Sequence, residues 1–329
     1  MAKTKQVLVT GGAGYIGSHT CKELAISGFE PITYDNLSTG HRGSVKWGPL
    51  VEGDVLDSDC LASAIRQYGP ETVIHFAASA YVGESISDPA KYYRNNVGGM
   101  LSLLAACRSE GLRSVIFSSS CATYGIPENM PITETTVQIP INPYGRTKLI
   151  GEQMLDDYAR AYGLRYVSLR YFNACGADPD GETGEFHDPE THLIPLALKA
   201  AADRRNKLDI FGTNYQTPDG TCLRDYIHVS DLARAHVLAM NYLLDGGKNI
   251  SANLGTGSTY SVRQILDSIT RITGNPINAN PHPRREGDPP VLCADTSRAK
   301  EVLGFETEHS NLDEIITTAA PFFGLEVHR

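Results

Sequence analysis

The most restrictive feature of the sequence is a glycine-rich segment near its amino terminus. Residues 6–9 have the apolar composition of a short buried strand, and Gly11, Gly14 and Gly17 follow directly. Glycine at this spacing allows a tight turn, a close approach of the backbone to a pyrophosphate, and close packing of the next helix. Unpaired N–H groups at the start of that helix attract an anion. The segment therefore predicts a strand–turn–helix unit that binds a dinucleotide.

Apolar segments typical of buried strands alternate with amphipathic segments through the first half of the chain. The predicted strands lie at residues 6–9, 31–34, 72–76, 114–117 and 165–169. Amphipathic segments between them, such as 56–68 and 100–110, predict helices, and strict alternation implies a parallel sheet covered on both faces. The predicted fold is α/β, a doubly wound parallel sheet of the Rossmann type with a smaller C-terminal α/β substrate-binding lobe.

The alternation becomes irregular after residue 173, which indicates a second lobe. Residues 175–190 are rich in Gly, Asp, Pro and Glu and predict a long loop. Helical patterns follow at 229–244 and 262–273. We assign residues 1–173 to a dinucleotide-binding domain and 174–329 mainly to the substrate-binding lobe, with a soft boundary that the chain can cross again.

Composition and charge exclude several functional classes for this 329-residue chain. The net charge of −9 and the lack of a run of Lys or Arg argue against nucleic-acid binding. No apolar run approaches the roughly 18 residues needed to cross a bilayer, so no membrane association is expected. The seven cysteines are scattered without a C-x-x-C pair, which argues against a disulfide framework or a zinc site. We expect a soluble cytoplasmic protein that needs no metal ion.

Asp35 ends the second predicted strand, 18 residues after Gly17. A carboxylate in this place accepts hydrogen bonds from the ribose hydroxyls of adenosine and repels a 2′-phosphate. The alternative is a simple turn residue within residues 35–38. Together with the glycine turn, Asp35 favours ribose binding and predicts NAD rather than NADP.

Tyr144 and Lys148 form a second chemical motif. They lie on a predicted helix with Asn142 as its cap and Pro143 in its first position, and their spacing places both on one face. A lysine ammonium and an oxidised nicotinamide nearby are expected to lower the pKa of the phenol, which then serves as a base. Such a pair can also arise by chance, but its position beyond the strand at 114–117 suits hydride chemistry.

Ser118, Ser119 and Ser120 follow the strand at residues 114–117. The hydroxyl of Ser120 can bind a substrate hydroxyl and pass its proton to Tyr144. The alternative is that these serines only satisfy backbone groups at the end of a strand. Cys121 is expected to be an inert thiol.

These motifs occur together in an order that resembles a known family. The glycine turn, Asp35, the serine run, Tyr-x-x-x-Lys and a later Arg-Tyr-Phe-Asn are similar to the extended short-chain dehydrogenases/reductases, and within them to nucleotide-sugar 4-epimerases. Further similar segments extend nearly end to end, at residues 52–54, 75–78, 82–85, 95–97, 224–228 and 284–288. The resemblance implies reversible C4 epimerisation of UDP-glucose and UDP-galactose through a 4-keto intermediate, with tightly bound NAD.

The resemblance also implies roles for individual residues. The implied catalytic residues are Tyr144, Lys148 and Ser120. The implied cofactor-binding residues are Gly11, Gly14, Tyr15, Ile16, Gly17, Asp35, Asn36, Leu37, Ser38, Asp54, Val55, Phe76, Ala77, Ala78, Asn95, Ser118, Tyr144, Lys148 and Phe172. The implied substrate-binding residues are Ser120, Tyr144, Asn173, His192, Leu193, Arg224, Arg285, Asp288 and Leu292. Two arginines in this set suit the charge of a diphosphate.

Departures from the family pattern concern the sugar pocket and the cofactor. His192 stands where many members have Asn, and Ala80 where some have Lys. Leu292 gates the sugar pocket and is intermediate in size between the side chains that members carry there. An epimerase for a UDP-pentose or a UDP-N-acetylhexosamine is therefore the alternative.

Two functions outside the epimerases share this fold, and the residues argue against both. A nucleotide-sugar 4,6-dehydratase needs an acid and a base beside the serine, but Cys121 and Ala122 follow Ser120 here. A non-catalytic NAD sensor has no use for Tyr144 and Lys148. The resemblance further implies a homodimer that packs two helices per subunit, at about residues 88–110 and 143–162.

Overall fold

The protein is built from strands that alternate with helices along most of the chain. The computed structural model describes residues 4–203, 207–285 and 287–328. The strands are β1 Gln6–Thr10, β2 Glu30–Asp35, β3 Leu50–Glu52, β4 Thr72–His75, β5 Ser114–Ser118, β6 Arg165–Tyr171, β7 Asn173–Cys175, β8 Leu208–Phe211, β9 Leu223–Arg224, β10 Tyr226–His228, β11 Ile250–Leu254, β12 Tyr260–Ser261, β13 Ala279–His282 and β14 Val291–Leu292. The helices are α1 Tyr15–Ile26, α2 Ser58–Tyr68, α3 Val82–Ser87, α4 Pro89–Tyr92, α5 Gly99–Ser109, α6 Pro143–Tyr162, α7 Leu193–Ala202, α8 Val229–Leu244, α9 Val262–Thr273, α10 Ser297–Leu303 and α11 Leu312–Ala319.

A seven-stranded sheet lies at the centre, in the order β11-β6-β5-β4-β1-β2-β3. Every neighbouring pair in this sheet is parallel. The strand order reverses between β1 and β4, and a crevice for ligands opens at the carboxyl ends of the strands next to such a reversal. The predicted doubly wound parallel sheet is confirmed.

Alternate residues of the strands supply two apolar layers, one on each face of the sheet. Val7 and Val9 pack in a buried cluster with Leu24 of α1 and Leu232 of α8. Leu8, between them, points into a second cluster with the apolar residues of α2 and α5. Both faces are therefore covered by helices, which explains the continuous apolar runs of the strands.

A third buried cluster belongs to the carboxyl-terminal part of the chain. It brings together α7, α9 and α11. Small sheets lie beside it: β7 pairs with β10, β9 with β12 and β14, and β8 with β13. This part agrees with the smaller α/β lobe expected from the sequence.

The chain crosses back between the two parts. β11 lies beyond residue 173, yet it pairs with β6 and completes the central sheet, and α8 packs on α1. Neither β3 nor β11 was predicted, because β3 has only three residues and β11 carries Ser251 and Asn253 between its apolar residues. Among the described residues, no helix is both long and apolar enough to cross a membrane.

Candidate active site

The carboxyl ends of the central strands place the predicted site residues along one edge of the sheet. β1 leads into the glycine turn, β2 ends at Asp35, β4 leads to Phe76, β5 ends at Ser118 and β6 leads to Phe172. Because all of these strands are parallel, their carboxyl ends meet at the same edge. Residues separated by more than 150 positions in sequence thus lie along one crevice.

The glycine turn leaves no room for side chains. Gly11 has a φ of 74°, and a Cβ there would lie 2.6 Å from the backbone nitrogen of Ala77. A Cβ on Gly17 would lie 2.2 Å from the carbonyl oxygen of Gly11. Gly14 caps α1 without a side-chain hydrogen bond, so the helix start keeps unpaired backbone N–H groups. This cradle fits a pyrophosphate group.

Asp35 lies beside the turn and is held by backbone groups. Its carboxylate accepts hydrogen bonds from the nitrogens of Ala13, at 3.0 Å, and Leu37, at 2.8 Å. Leu37 has a φ of 57°, a strained conformation for leucine that keeps its N–H directed at the carboxylate. Burial raises the pKa of Asp35, while these two hydrogen bonds act in the opposite direction. The carboxylate oxygens keep lone pairs for further donors, as ribose binding requires.

Several other predicted cofactor residues cluster around this edge. Asn36 donates to the carboxylate of Asp54 at 3.1 Å, and Val55 is buried against the second apolar layer. Asn95 lies in a π-helical turn, Tyr93–Gly98, that joins α4 to α5, and its amide is 3.4 Å from the Ser79 hydroxyl. π-helical turns occur frequently at functional sites.

Asn96 connects the segment after β4 to α6 through hydrogen bonds that no sequence pattern predicted. Its amide accepts from the Ser79 nitrogen at 2.8 Å and donates to the Ser79 oxygen at 3.0 Å. It also donates to Thr147 on α6 at 2.9 Å. No local spacing in the sequence indicates these bonds, because Thr147 is 51 residues away.

Tyr144 and Lys148 are both buried on the first turns of α6. Asn142 caps the helix by accepting from the Gly145 nitrogen at 2.8 Å, and Pro143 takes the first position, as predicted. α6 packs on the short 3₁₀ turn Cys121–Thr123, which Ser120 caps. Tyr144, Lys148 and Ser120 therefore lie together, although they come from two separate elements.

The pKa of the Tyr144 phenol is governed by burial in the protein without a cofactor. Burial raises it above its usual value, and an interaction with the Ser120 hydroxyl only partly opposes this. The Lys148 ammonium does not offset the burial: it donates to the Ser118 carbonyl at 2.7 Å and lies 5.8 Å from the centre of the Tyr144 ring. Burial also lowers the pKa of Lys148 to about 7.

A buried ion pair between Arg170 and Glu152 lies next to the serine run. Arg170 donates to both carboxylate oxygens of Glu152, with the shortest contact at 2.6 Å, and both side chains are at most 7% exposed. The same carboxylate accepts from the Ser119 hydroxyl at 2.6 Å. Arg170 also donates to the Tyr124 hydroxyl, which in turn donates to Asn253 of β11. This network connects α6, the serine run, β6 and β11, and no sequence pattern predicted it.

The predicted substrate residues of the second lobe converge near the same edge. Arg224 forms an ion pair with Asp288, and Leu292 is paired in register with Arg224. The Asn173 amide donates to the Asp225 carbonyl at 2.7 Å, and the Asp225 nitrogen donates to the Leu292 carbonyl. Leu292 and Cys121 both pack against the buried cluster that contains Phe172, and Cys121 directly follows Ser120.

Two other predicted substrate residues, Arg285 and His192, are in contact with side chains of the protein itself. Arg285 is exposed and stacks its guanidinium 4.0 Å from the centre of the Phe211 ring. His192 directs Nδ1 at Glu185, at 2.8 Å, and at Glu190, at 3.1 Å, immediately before Leu193 begins α7. The His192 imidazole is thus engaged by two carboxylates of its own segment.

Comparisons with known proteins agree with this arrangement. Residues 7–255 match the NAD dependent epimerase/dehydratase family. The chain is 52% identical over 307 residues to a UDP-glucose 4-epimerase of Rhizobium meliloti, covering 93% of this chain and 94% of the relative. The chain belongs to the NAD dependent epimerase/dehydratase family.

Solved structures of similar proteins extend the comparison. A UDP-glucose 4-epimerase from Brucella ovis in complex with NAD is 63% identical, with a TM-score of 0.97 and coverage of 99% of this chain and 100% of that one. A UDP-glucose-4-epimerase from Stenotrophomonas maltophila with bound NAD and formylated UDP-arabinopyranose is 37% identical, with a TM-score of 0.94 and coverage of 97% and 98%.

Proposed function

We propose that this chain catalyses the reversible C4 epimerisation of UDP-glucose and UDP-galactose with tightly bound NAD. The observation that carries the proposal is the placement of Tyr144, Lys148 and Ser120 at the sheet edge that also holds the glycine cradle and Asp35. The names of the similar proteins support the same activity and cofactor.

The chemistry assigns separate tasks to the buried groups. NAD supplies the hydride acceptor, and a positive charge beside the phenol, when it is bound. Tyr144 takes the proton of the sugar 4-hydroxyl, and Ser120 relays it. Lys148 donates to the Ser118 carbonyl, and its ammonium would hold the cofactor's ribose. Burial keeps water away from the reacting atoms, which protects the 4-keto sugar while it rotates.

Inversion at C4 requires a sugar that can turn and a nucleotide that cannot. Binding energy must therefore come from the remote diphosphate and base. Arg224, Arg285, Asp288 and Asn173 are the proposed anchors, with two guanidinium groups for the diphosphate. Leu292, which packs against the buried cluster that contains Phe172, is the proposed border of the sugar pocket.

Incubation of the purified protein with UDP-galactose tests the proposal. Formation of UDP-glucose without net NADH supports an epimerase. A stable 4-keto-6-deoxy sugar would identify a dehydratase instead, and unchanged UDP-galactose would leave only a binding role. A panel of UDP-hexoses, UDP-N-acetylhexosamines and UDP-pentoses then separates the alternative substrates; the pentose arm is motivated by the nucleotide sugar in the Stenotrophomonas structure.

Replacing Asp35 with asparagine is expected to weaken NAD binding by about 10- to 100-fold, since a hydrogen bond to a charged group contributes about 1.5–3 kcal/mol. The preference for NAD over NADP should fall as well, because the repulsive carboxylate is lost. Titration of cofactor-depleted protein with each dinucleotide measures both effects. Asp59→Asn, on the exposed first turn of α2, is the matched control. Equal affinity of the wild-type protein for NADP would refute the assignment.

The proposed homodimer packs α5 and α6 of each subunit. Exposed apolar side chains lie on these helices: Leu101 of α5 is 54% exposed and Tyr162 of α6 is 45% exposed. Leu101→Asp is expected to convert the dimer to a monomer, because it would bury a charge in the interface. Light scattering after gel filtration measures the mass. Ile26→Asp, at a 69% exposed position at the end of α1, should leave the dimer intact. A wild-type monomer at micromolar concentration would contradict the proposal.

A cytoplasmic location is proposed on the state of the thiols. All seven cysteines are free, and burial raises the pKa of the Cys107 and Cys121 thiols to about 12. Such thiols persist in a reducing compartment. Fractionation of cells that express the protein tests this location.

A further inference from the structure

Four potential metal ligands come together within one short segment between β7 and α7. The segment runs from Glu185 through His187 and Glu190 to His192, and one donor atom of each lies within 4.8 Å of the others. His187 Nδ1 is 2.9 Å from Glu185 Oε1 and 3.8 Å from Glu190 Oε2. His192 Nδ1 is 2.8 Å from Glu185 Oε1 and 3.1 Å from Glu190 Oε1. Two imidazoles thus alternate with two carboxylates around one point.

These separations match the edges of a small coordination polyhedron. Zinc binds imidazole nitrogen and carboxylate oxygen at about 2.0–2.2 Å in tetrahedral geometry, which puts neighbouring ligand atoms about 3.3–3.6 Å apart. The four distances of 2.8–3.8 Å bracket this value, with His187 and His192 facing different carboxylate oxygens of Glu190. Side-chain adjustments of a few tenths of an ångström would therefore admit the ion.

Burial of its two carboxylates distinguishes this cluster from a solvated group of charges, although the His192 side chain is 48% exposed. The Glu185 side chain is 5% exposed and the Glu190 side chain 2% exposed. In the described part of the chain, the ion pairs of these carboxylates involve only the two histidines. Buried carboxylates require such compensation by cations or metal ions.

A second acidic cluster in the protein shows the contrast. Asp178, Asp180 and Glu182 also converge, but the ammonium of Lys22 occupies their centre at 2.6–2.8 Å. That cluster already holds its cation. The histidine-containing cluster instead offers imidazole nitrogens, a ligand type that suits zinc and other transition-metal ions.

The surroundings hold the donors in place. The Glu190 carboxylate accepts from the backbone nitrogens of Thr191 and His192, both at 2.8 Å. The His187 ring meets Tyr15 and Tyr81 edge-on, at 6.0 Å and 5.9 Å between ring centres. Tyr15 begins α1 directly after the glycine turn. Such outer contacts orient metal ligands.

We propose that Glu185, His187, Glu190 and His192 form a closed, four-coordinate site for one divalent transition-metal ion, with zinc as the expected occupant. Four protein ligands leave no open position, so the ion is structural. It cross-links residues 185–192 of the segment between β7 and α7 to one another, and so fixes where Leu193 begins α7. This differs from the expectation of a metal-free protein, which considered only the cysteine pattern.

Metal content of the untagged wild-type protein provides the test. After incubation with zinc sulfate and dialysis into metal-free buffer, we expect about one zinc per chain by mass spectrometry, as for a closed structural site. Zinc should raise the melting temperature. His187→Asn and Glu185→Gln should each lose the retained zinc and the stabilisation. His282→Asn, in an exposed pair with Asp209, and Glu182→Gln, in the Lys22 cluster, are matched controls that should keep both.

Other outcomes would overturn the site. Retention of zinc no higher in the wild type than in the His187 and Glu185 variants would refute it. If these variants fail to fold, X-ray absorption of the wild-type zinc form decides: a four-coordinate nitrogen–oxygen shell supports the site, and a sulfur-containing or six-oxygen shell refutes it. Turnover of UDP-galactose is measured separately, so failure of this site and failure of the proposed function are distinguishable.

Discussion

Replacing Tyr144 with phenylalanine is expected to lower kcat by roughly 10²- to 10⁴-fold, the usual contribution of a positioned acid–base group. The substitution removes the hydroxyl that takes the proton of the sugar 4-hydroxyl. The ring fills the same buried space on α6, so helix packing and the glycine cradle should persist. Bound NAD, measured by mass spectrometry of the purified protein, should therefore remain at the wild-type level.

A matched control removes a tyrosine hydroxyl elsewhere. Tyr68→Phe, at the last residue of α2, should retain wild-type turnover and NAD content. A Tyr144→Phe variant with wild-type kcat would exclude the phenol as the base. Loss of turnover together with loss of NAD would instead show that Tyr144 acts in cofactor binding, and would contradict the proposed role equally.

Replacing Arg170 with methionine is expected to reduce the free energy of unfolding by about 3–5 kcal/mol, because it leaves a buried carboxylate without its partner. Glu152 would keep only its hydrogen bonds with Ser119 and Gln138. Denaturant-induced unfolding, followed by fluorescence, measures the change. Turnover should fall as well, since the same carboxylate holds the serine next to Ser120.

An exposed ion pair on α6, the helix that carries Glu152, supplies the control. Arg160 contacts Asp156 at 2.7 Å, but the Arg160 side chain is 75% exposed, so Arg160→Met should cost at most about 1 kcal/mol. The double substitution Glu152→Met with Arg170→Met should recover part of the loss, because it removes both buried charges. If Arg170→Met and Arg160→Met lowered the free energy of unfolding equally, the buried ion pair would stabilise the protein no more than the exposed one.

Local features of the sequence determined the fold class and most of the cofactor edge. The glycine spacing and Asp35 predicted a turn that the structure contains, because close approach of backbone to backbone admits no side chain at Gly11 or Gly17. Asn142 and Pro143 predicted the start of α6, and the four-residue spacing then fixed the shared face of Tyr144 and Lys148. These inferences hold because helix periodicity and capping depend on neighbours within a few residues.

Contacts between distant segments were decided only by the tertiary structure. β11, which lies beyond residue 173, pairs with β6 in the central sheet. Arg170 on β6 forms an ion pair with Glu152 on α6. The raised pKa of Tyr144 follows from burial, which the Tyr–Lys spacing does not encode. Burial and pairing depend on how elements pack, whereas spacing specifies only which residues share one element. The sequence thus determined which groups could carry the chemistry, and the packing determined their electrostatic environment.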